Sequence, residues 1–153
     1  MASLTDELGA EAVGLFASDK PDSDSVNSEG LRAEGRALLE RAEAAYAERF
    51  GGSMSAAALA GFSGAWALLH HVFPAATALT PEAVADAANA IDLPDGTLPN
   101  GSGLRFGEPG SGAAGANLLA ASVVWQWQAP GENAVVWPPR YATSPIRMLD
   151  PLP

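Results

Sequence analysis

Residues 54–76 read MSAAALAGFSGAWALLHHVFPAA, a run of 23 residues without an acidic or basic side chain, and the fold is decided by what covers it. Apolar residues fall all round a 3.6-residue wheel, with Leu59, Phe62, Trp66, Leu69 and Phe73 on one flank and Ala58, Ala65, Leu68 and Val72 on others. Such a helix is covered by protein or by lipid. It is long enough for a bilayer, which takes about 20 apolar residues. However, it is built from Ala, Gly and Ser more than from Leu, Ile and Val, and carries His70, His71 and Pro74 near one end. The pattern predicts a buried central helix and no membrane span. Ala57, Gly61 and Gly64 predict a partner element packed closely against it.

Working outward, residues 31–50 place Leu38, Leu39, Ala42, Ala45, Tyr46 and Phe50 at helical spacing, opposite a face of Glu and Arg that reads as solvated. Gly51 and Gly52 end this amphipathic helix, and Ser53 or Ser55 caps the next. Thr80-Pro81-Glu82 starts a third helix with a capping hydroxyl, a proline at the first turn and an acid at the positive end of the dipole. It stops by Leu93, before Pro94.

Three stretches read as strands. EAVGLFA, residues 11–17, predicts a brief buried strand. SVVWQWQ (122–128), APGEN (129–133) and AVVW (134–137) predict a hairpin, with Trp125, Trp127 and Trp137 forming a core face or, less favourably, a stacking platform for a ligand. Leu104 and Phe106 alternate around Arg105 as in a short strand. Residues 138–153 predict a proline-punctuated surface tail. A short helical turn is expected at residues 4–8, with Thr5 as its cap. The fold class is therefore α/β: one domain over 1–153, about three main helices on a short-stranded sheet with a C-terminal hairpin.

Composition excludes several chemistries. The formal charge is −10, from 18 acidic and 8 basic residues, so a phosphate backbone is repelled and no nucleic-acid partner is expected. Without cysteine there is no disulfide, thiolate metal site or cysteine nucleophile. His70 and His71 are adjacent and point about 100° apart on a helix, so they cannot share one metal; no metal site and no cofactor are predicted. Asp22 and Asp24 lie in a Ser/Asp/Pro-rich loop that lacks EF-hand spacing. Gly110-Ser111-Gly112-Ala113-Ala114-Gly115 matches GxGxxG, yet stands outside a βαβ unit and reads as a glycine loop. No GxSxG elbow is present, and catalysis is not expected. Residues 1–10 lack a basic n-region and an apolar h-region, which predicts a cytoplasmic protein.

The order of these features carries a resemblance. RAEAAYAERFGGSMSAAALAGFSGAWALLHHVFPAA, then TPEAVADAANAI, GTLPNGSGLRF and SVVWQWQAPGENAVVW resemble the C-terminal part of type I periplasmic-binding-protein-like receptors, and the resemblance covers residues 11–148. Within these, the likeness is to the branched-chain amino acid or amide substrate-binding proteins of ABC transporters, of actinobacterial type. Tyr46, Phe50 and Gly51 match the family's Tyr-x-x-x-(Phe/Tyr)-Gly helix end. The resemblance implies a partial α/β domain of that type, a non-catalytic module or fragment that binds an amino acid or amide. It also implies an N-terminal lobe as partner and an extracytoplasmic, membrane-associated setting. By position it puts Ala17, Ser18 and Asp19, and Ser53, Ser55 and Ala57, nearest hinge and ligand; the family often has an aromatic contact in the second stretch, where this sequence has small residues. The alternative is a stand-alone, self-associating structural domain, a homodimer completed through an exposed sheet edge. An enzyme built on the glycine loop is a third and minor reading.

Overall fold

In the computed structural model, which describes residues 7–148 except Asp24 and Val26, the chain begins with a 3-10 turn at Gly9–Ala12. Strand β1 (Phe16–Asp19) and helix α1 (Ala33–Phe50) follow. Helix α2 (Ala56–Ala67) continues through a π-helical stretch at Leu68–Val72 into a last α-turn at Phe73–Ala75. Helix α3 (Pro81–Ala90), a long loop, and the hairpin of β2 (Val123–Ala129) and β3 (Glu132–Trp137) complete the order. The turn expected at residues 4–8, including Thr5, falls mostly outside the described residues.

The caps form where the residue types call for them. Gly51 and Gly52 end α1 at φ +73 and +70, Ser55 Oγ accepts from Ala58 N–H at 3.3 Å at the start of α2, and Thr80 Oγ1 accepts from Ala83 N–H at 3.3 Å at the start of α3. In the π stretch, Phe73 N–H donates to Leu68 O, five residues back.

The three strands form one antiparallel sheet in the order β1-β2-β3, with Ala17 opposite Trp125 and Trp125 opposite Val135. β2 is central, and β1 is an edge rather than a buried strand: Leu15 and Phe16 are 42 % and 54 % exposed, because only one neighbour covers them. One face of the sheet meets the helices. There Trp125 and Val135 pack with Leu31, Leu39, Ala42, Met54, Leu59 and Tyr141. Fully burying a tryptophan removes about 150–250 Å² from water, a gross gain of roughly 4–6 kcal/mol. Trp127 is buried too, whereas Trp137 is exposed, so two of the three tryptophans form the core face.

α2 does not lie at the centre. Leu59, Ser63, Ala67 and Val72 form a buried line, while Ala57, Gly61, Gly64, Ala65, Leu68 and Leu69 are exposed. Ala56–Ala75 is long and apolar enough to cross a membrane by length and composition, yet only 22 % of its most apolar window lies buried. A Cβ on Gly61 or Gly64 would meet nothing within 4 Å, so no described element makes the close approach those residues predicted.

The centre is a loop instead. Gly96 to Leu104, GTLPNGSGL, is buried apart from half-buried Asn100, and it bonds its own backbone. Gly96 N–H donates to Gly101 O and Leu98 N–H to Ser102 O, both at 2.9 Å, and Leu93 and Leu104 exchange a pair of bonds at 2.9 Å. α1 approaches closely at Gly35, where a Cβ would sit 2.3 Å from Gly96 O.

The C-terminal segment is mostly on the surface, with one correction: Tyr141 is fully buried, donating from its hydroxyl to Gly101 O at 2.8 Å. Beyond it, the side chain of Gln126 in β2 pairs with the backbone of Arg147, donating to its carbonyl at 2.8 Å and accepting from its N–H at 2.7 Å. Gln128 Nε2 donates to Pro145 O at 2.7 Å. Residues 143–147 thus strap the sheet's outer face, which explains why Gln126, facing away from the helices, is only 1 % exposed.

Candidate functional site

Of the two stretches named from the sequence, Ala17, Ser18 and Asp19 pair with Trp125, Val124 and Val123 of β2, and Ser53 to Ala57 leads into α2. The segment after β1 docks there: Ser23 Oγ donates to Met54 O at 3.2 Å and accepts from Met54 N–H at 3.0 Å. The free N–H of Ala56 is taken by the Asp22 carboxylate. Asp22 is therefore the anion at the positive end of α2. Ala17 is half-buried on β1, and Ser18, Asp19, Ser53, Ser55 and Ala57 are exposed. The Lys20 backbone N–H, 2.7 Å away, and then its ammonium, hold the Asp19 carboxyl below the usual carboxylate range.

A cavity of about 370 Å³, with charged and apolar side chains in its wall, lies between α1, α2 and the 93–97 segment, at the lower end of the roughly 300–1,000 Å³ usual for small-molecule sites. α1 contributes Glu34, Leu38 and Arg41 to its wall. Glu34 and Arg41 are seven residues apart, which is two helical turns or about 10.5 Å along the axis, with Leu38 on the same face between them. Neither makes an ion pair with another described residue; the described pairs are Lys20–Asp19, Arg105–Asp92 and Arg140–Asp95. The Arg41 guanidinium lies 5.8 Å from the Trp66 ring centroid, and that ring is itself held by His70 stacked at 3.7 Å. A cation over an indole is held by the ring's quadrupole, so Arg41 has a support that Glu34 lacks.

The 93–97 segment contributes Thr97, 8 % exposed, whose hydroxyl has no hydrogen-bond partner among the described residues. Leaving such a group unpaired costs about 1–3 kcal/mol, which a ligand acceptor would recover. His71 and Trp66 complete the α2 side. The arrangement offers an anion, a cation, a hydroxyl and an apolar middle; it can bind a molecule with charges at both ends. Among the described residues, no group of three or more His, Asp or Glu side chains is placed to hold a metal ion.

Sequence reading missed this site, taking the Glu/Arg face of α1 as solvation. Spacing alone could have flagged Glu34 and Arg41; nothing local marks Thr97, which faces them only because the buried loop returns to α1. The glycine loop 110–115 is a series of turns: Ser111 N–H donates to Glu108 O at 3.0 Å and Ala116 N–H to Ala113 O at 3.0 Å. No helix follows it, so its N–H groups are not gathered at a helix start as a dinucleotide site requires. No family model matches the chain, and no curated protein matches it.

Proposed function

We propose that the chain is a non-catalytic solute-binding module whose ligand is a zwitterionic amino acid, or its amide, in the cavity lined by Glu34 and Arg41. The carrying observation is that Glu34 and Arg41, opposite in charge and without ion-pair partners among the described residues, line one cavity with the Thr97 hydroxyl, likewise unpartnered among them. In this reading the ligand ammonium faces Glu34, the carboxylate takes two parallel bonds from Arg41, and Thr97 donates to a carboxylate or amide oxygen. Leu38 and Trp66 cover the apolar part. The resemblance to amino acid and amide substrate-binding proteins supports the same ligand class. It carries with it a first lobe as partner and an extracytoplasmic place beside a transporter.

Titration calorimetry with amino acids and their amides tests this. Arg41→Gln should weaken an amino acid at least tenfold while leaving its amide nearly unchanged, and Glu34→Gln should weaken both. At 100 times its dissociation constant the ligand should add about 2.7 kcal/mol of stability. Binding that ignores both substitutions, or no binding by any amino acid or amide, overturns the reading.

The open face of α2 supports a second reading, a self-associating domain. Leu69 is 56 % exposed, and Gly61 and Gly64 leave room for another backbone. Light scattering would then give a dimer that Leu69→Glu returns to monomer; a monomeric wild type removes this reading.

A further inference from the structure

A second cavity, of about 390 Å³, uses α2 and the buried loop as well but shares no lining residue with the first. Its walls are apolar, including Val72, Leu98, Leu104 and Phe106, and no acidic or basic side chain lines it. In a chain of net charge −10 a charge-free cavity stands apart from the general surface. Four neutral polar residues interrupt the walls: Ser63, Asn100, Ser102 and Asn117.

Their hydrogen bonds decide what they have left to offer. Asn100 Oδ1 accepts from Ser102 N–H at 3.2 Å. Asn117 Oδ1 accepts from Arg105 N–H and Leu119 N–H, both at 3.1 Å, while its Nδ2 donates to Gly103 O at 2.9 Å. Backbone N–H groups bond only oxygen, so these contacts fix which end of each carboxamide is which. Ser102 Oγ accepts from Ala121 N–H at 2.9 Å. The Ser63 hydroxyl, on a residue 1 % exposed, has no partner among the described residues. The carboxamide oxygens are thus engaged, and the remaining capacity is weighted to donors: the amide N–H groups of Asn100, the second N–H of Asn117, and the two hydroxyl protons.

We propose that this cavity is a ligand site for an uncharged, mostly apolar small molecule that presents a carbonyl oxygen to Ser63. A carbonyl oxygen satisfies donors and brings no charge. A carboxylate would enter a cavity with no cation in its wall, and an ammonium one with no anion in its wall and with both carboxamide oxygens already accepting. A pure hydrocarbon would leave Ser63 unpaired. The inference is independent of the amino-acid reading, because the cavities have separate linings.

Titration calorimetry on the full chain with 2-octanone, octanoate and octylammonium, against wild type, Ser63→Ala and Arg41→Gln, tests it. The expected result is that 2-octanone binds wild type, binds Ser63→Ala about tenfold more weakly for one lost hydrogen bond, and binds Arg41→Gln unchanged. Octanoate and octylammonium should bind at least tenfold more weakly than the ketone. Ser63→Thr, which keeps the hydroxyl, should stay close to wild type, separating a lost bond from disturbed packing. Equal ketone affinity for wild type and Ser63→Ala, tighter binding of either ion, or no ketone binding at millimolar concentration overturns the proposal. Since Arg41→Gln probes only the other cavity, an amino-acid site could fail with this one intact, and the reverse.

Discussion

Tyr141 holds the last part of the chain to the buried loop through one bond, from its hydroxyl to Gly101 O. Removing that hydroxyl in Tyr141→Phe leaves the Gly101 carbonyl without this donor and should cost about 1 kcal/mol in urea unfolding. Burial raises the phenol above the ordinary tyrosine value; nearby Arg140 pulls it down and Asp95 pushes it up by less. Because the phenol titrates higher folded than unfolded, its contribution is intact below about pH 10 and lost as pH rises through the folded value. Unfolding midpoints should therefore fall more steeply above about pH 10 in wild type than in Tyr141→Phe. At Gly35 the constraint is space: a Cβ 2.3 Å from Gly96 O cannot be accommodated without moving backbone. Gly35→Ala should cost several times what an exposed helical glycine gains, at least about 2 kcal/mol. Neither role was legible beforehand, since Tyr141 stood among prolines that read as surface and nothing local marks Gly35. Both depend on contacts across more than 30 residues.

At the scale of elements, helix boundaries and the hairpin were legible because they rest on local chemistry. Thr80-Pro81, Gly51-Gly52 and Pro130-Gly131 act on their own backbone wherever the rest of the chain goes. Burial was not legible for α2. A helix of Ala, Gly and Ser has nearly the same polarity on every side, so the pattern named no face and the helix read as buried all round. The structure buries the Leu59, Ser63, Ala67, Val72 line and leaves Gly61 open. Gly61→Ala should then stabilise the chain by about 0.5–1 kcal/mol through backbone entropy, seen as a rise in thermal midpoint. A loss of stability would mean that a partner occupies this face. β1 was misjudged for a related reason: a short apolar run bounded by polar residues cannot tell a central strand from an edge, which depends on how many strands pair beside it.

For the whole molecule, the sheet is covered on one face by helices and on the other by the strap at 143–147. Gln126→Leu removes both bonds to Arg147 while keeping much of the volume. Hydrogen exchange should then show Arg147 N–H losing protection while the N–H groups of β2 keep theirs. The cavities were the least legible feature, because each is walled by residues brought together by the return of the 93–107 loop. One further consequence follows from the five-residue bond between Phe73 and Leu68. The buried line runs 59, 63, 67 and then 72, so the helix slips phase by one residue after Ala67. Above the slip and below it, the same cylinder has two angular origins. Deleting Leu69 would restore a single phase, with the old Val72 four places after Ala67 and still turned inward. A deletion that usually ruins a helix should here leave thermal stability within a few degrees, whereas deleting Gly61, ahead of the slip, would rotate every later side chain by about 100° and unfold the domain.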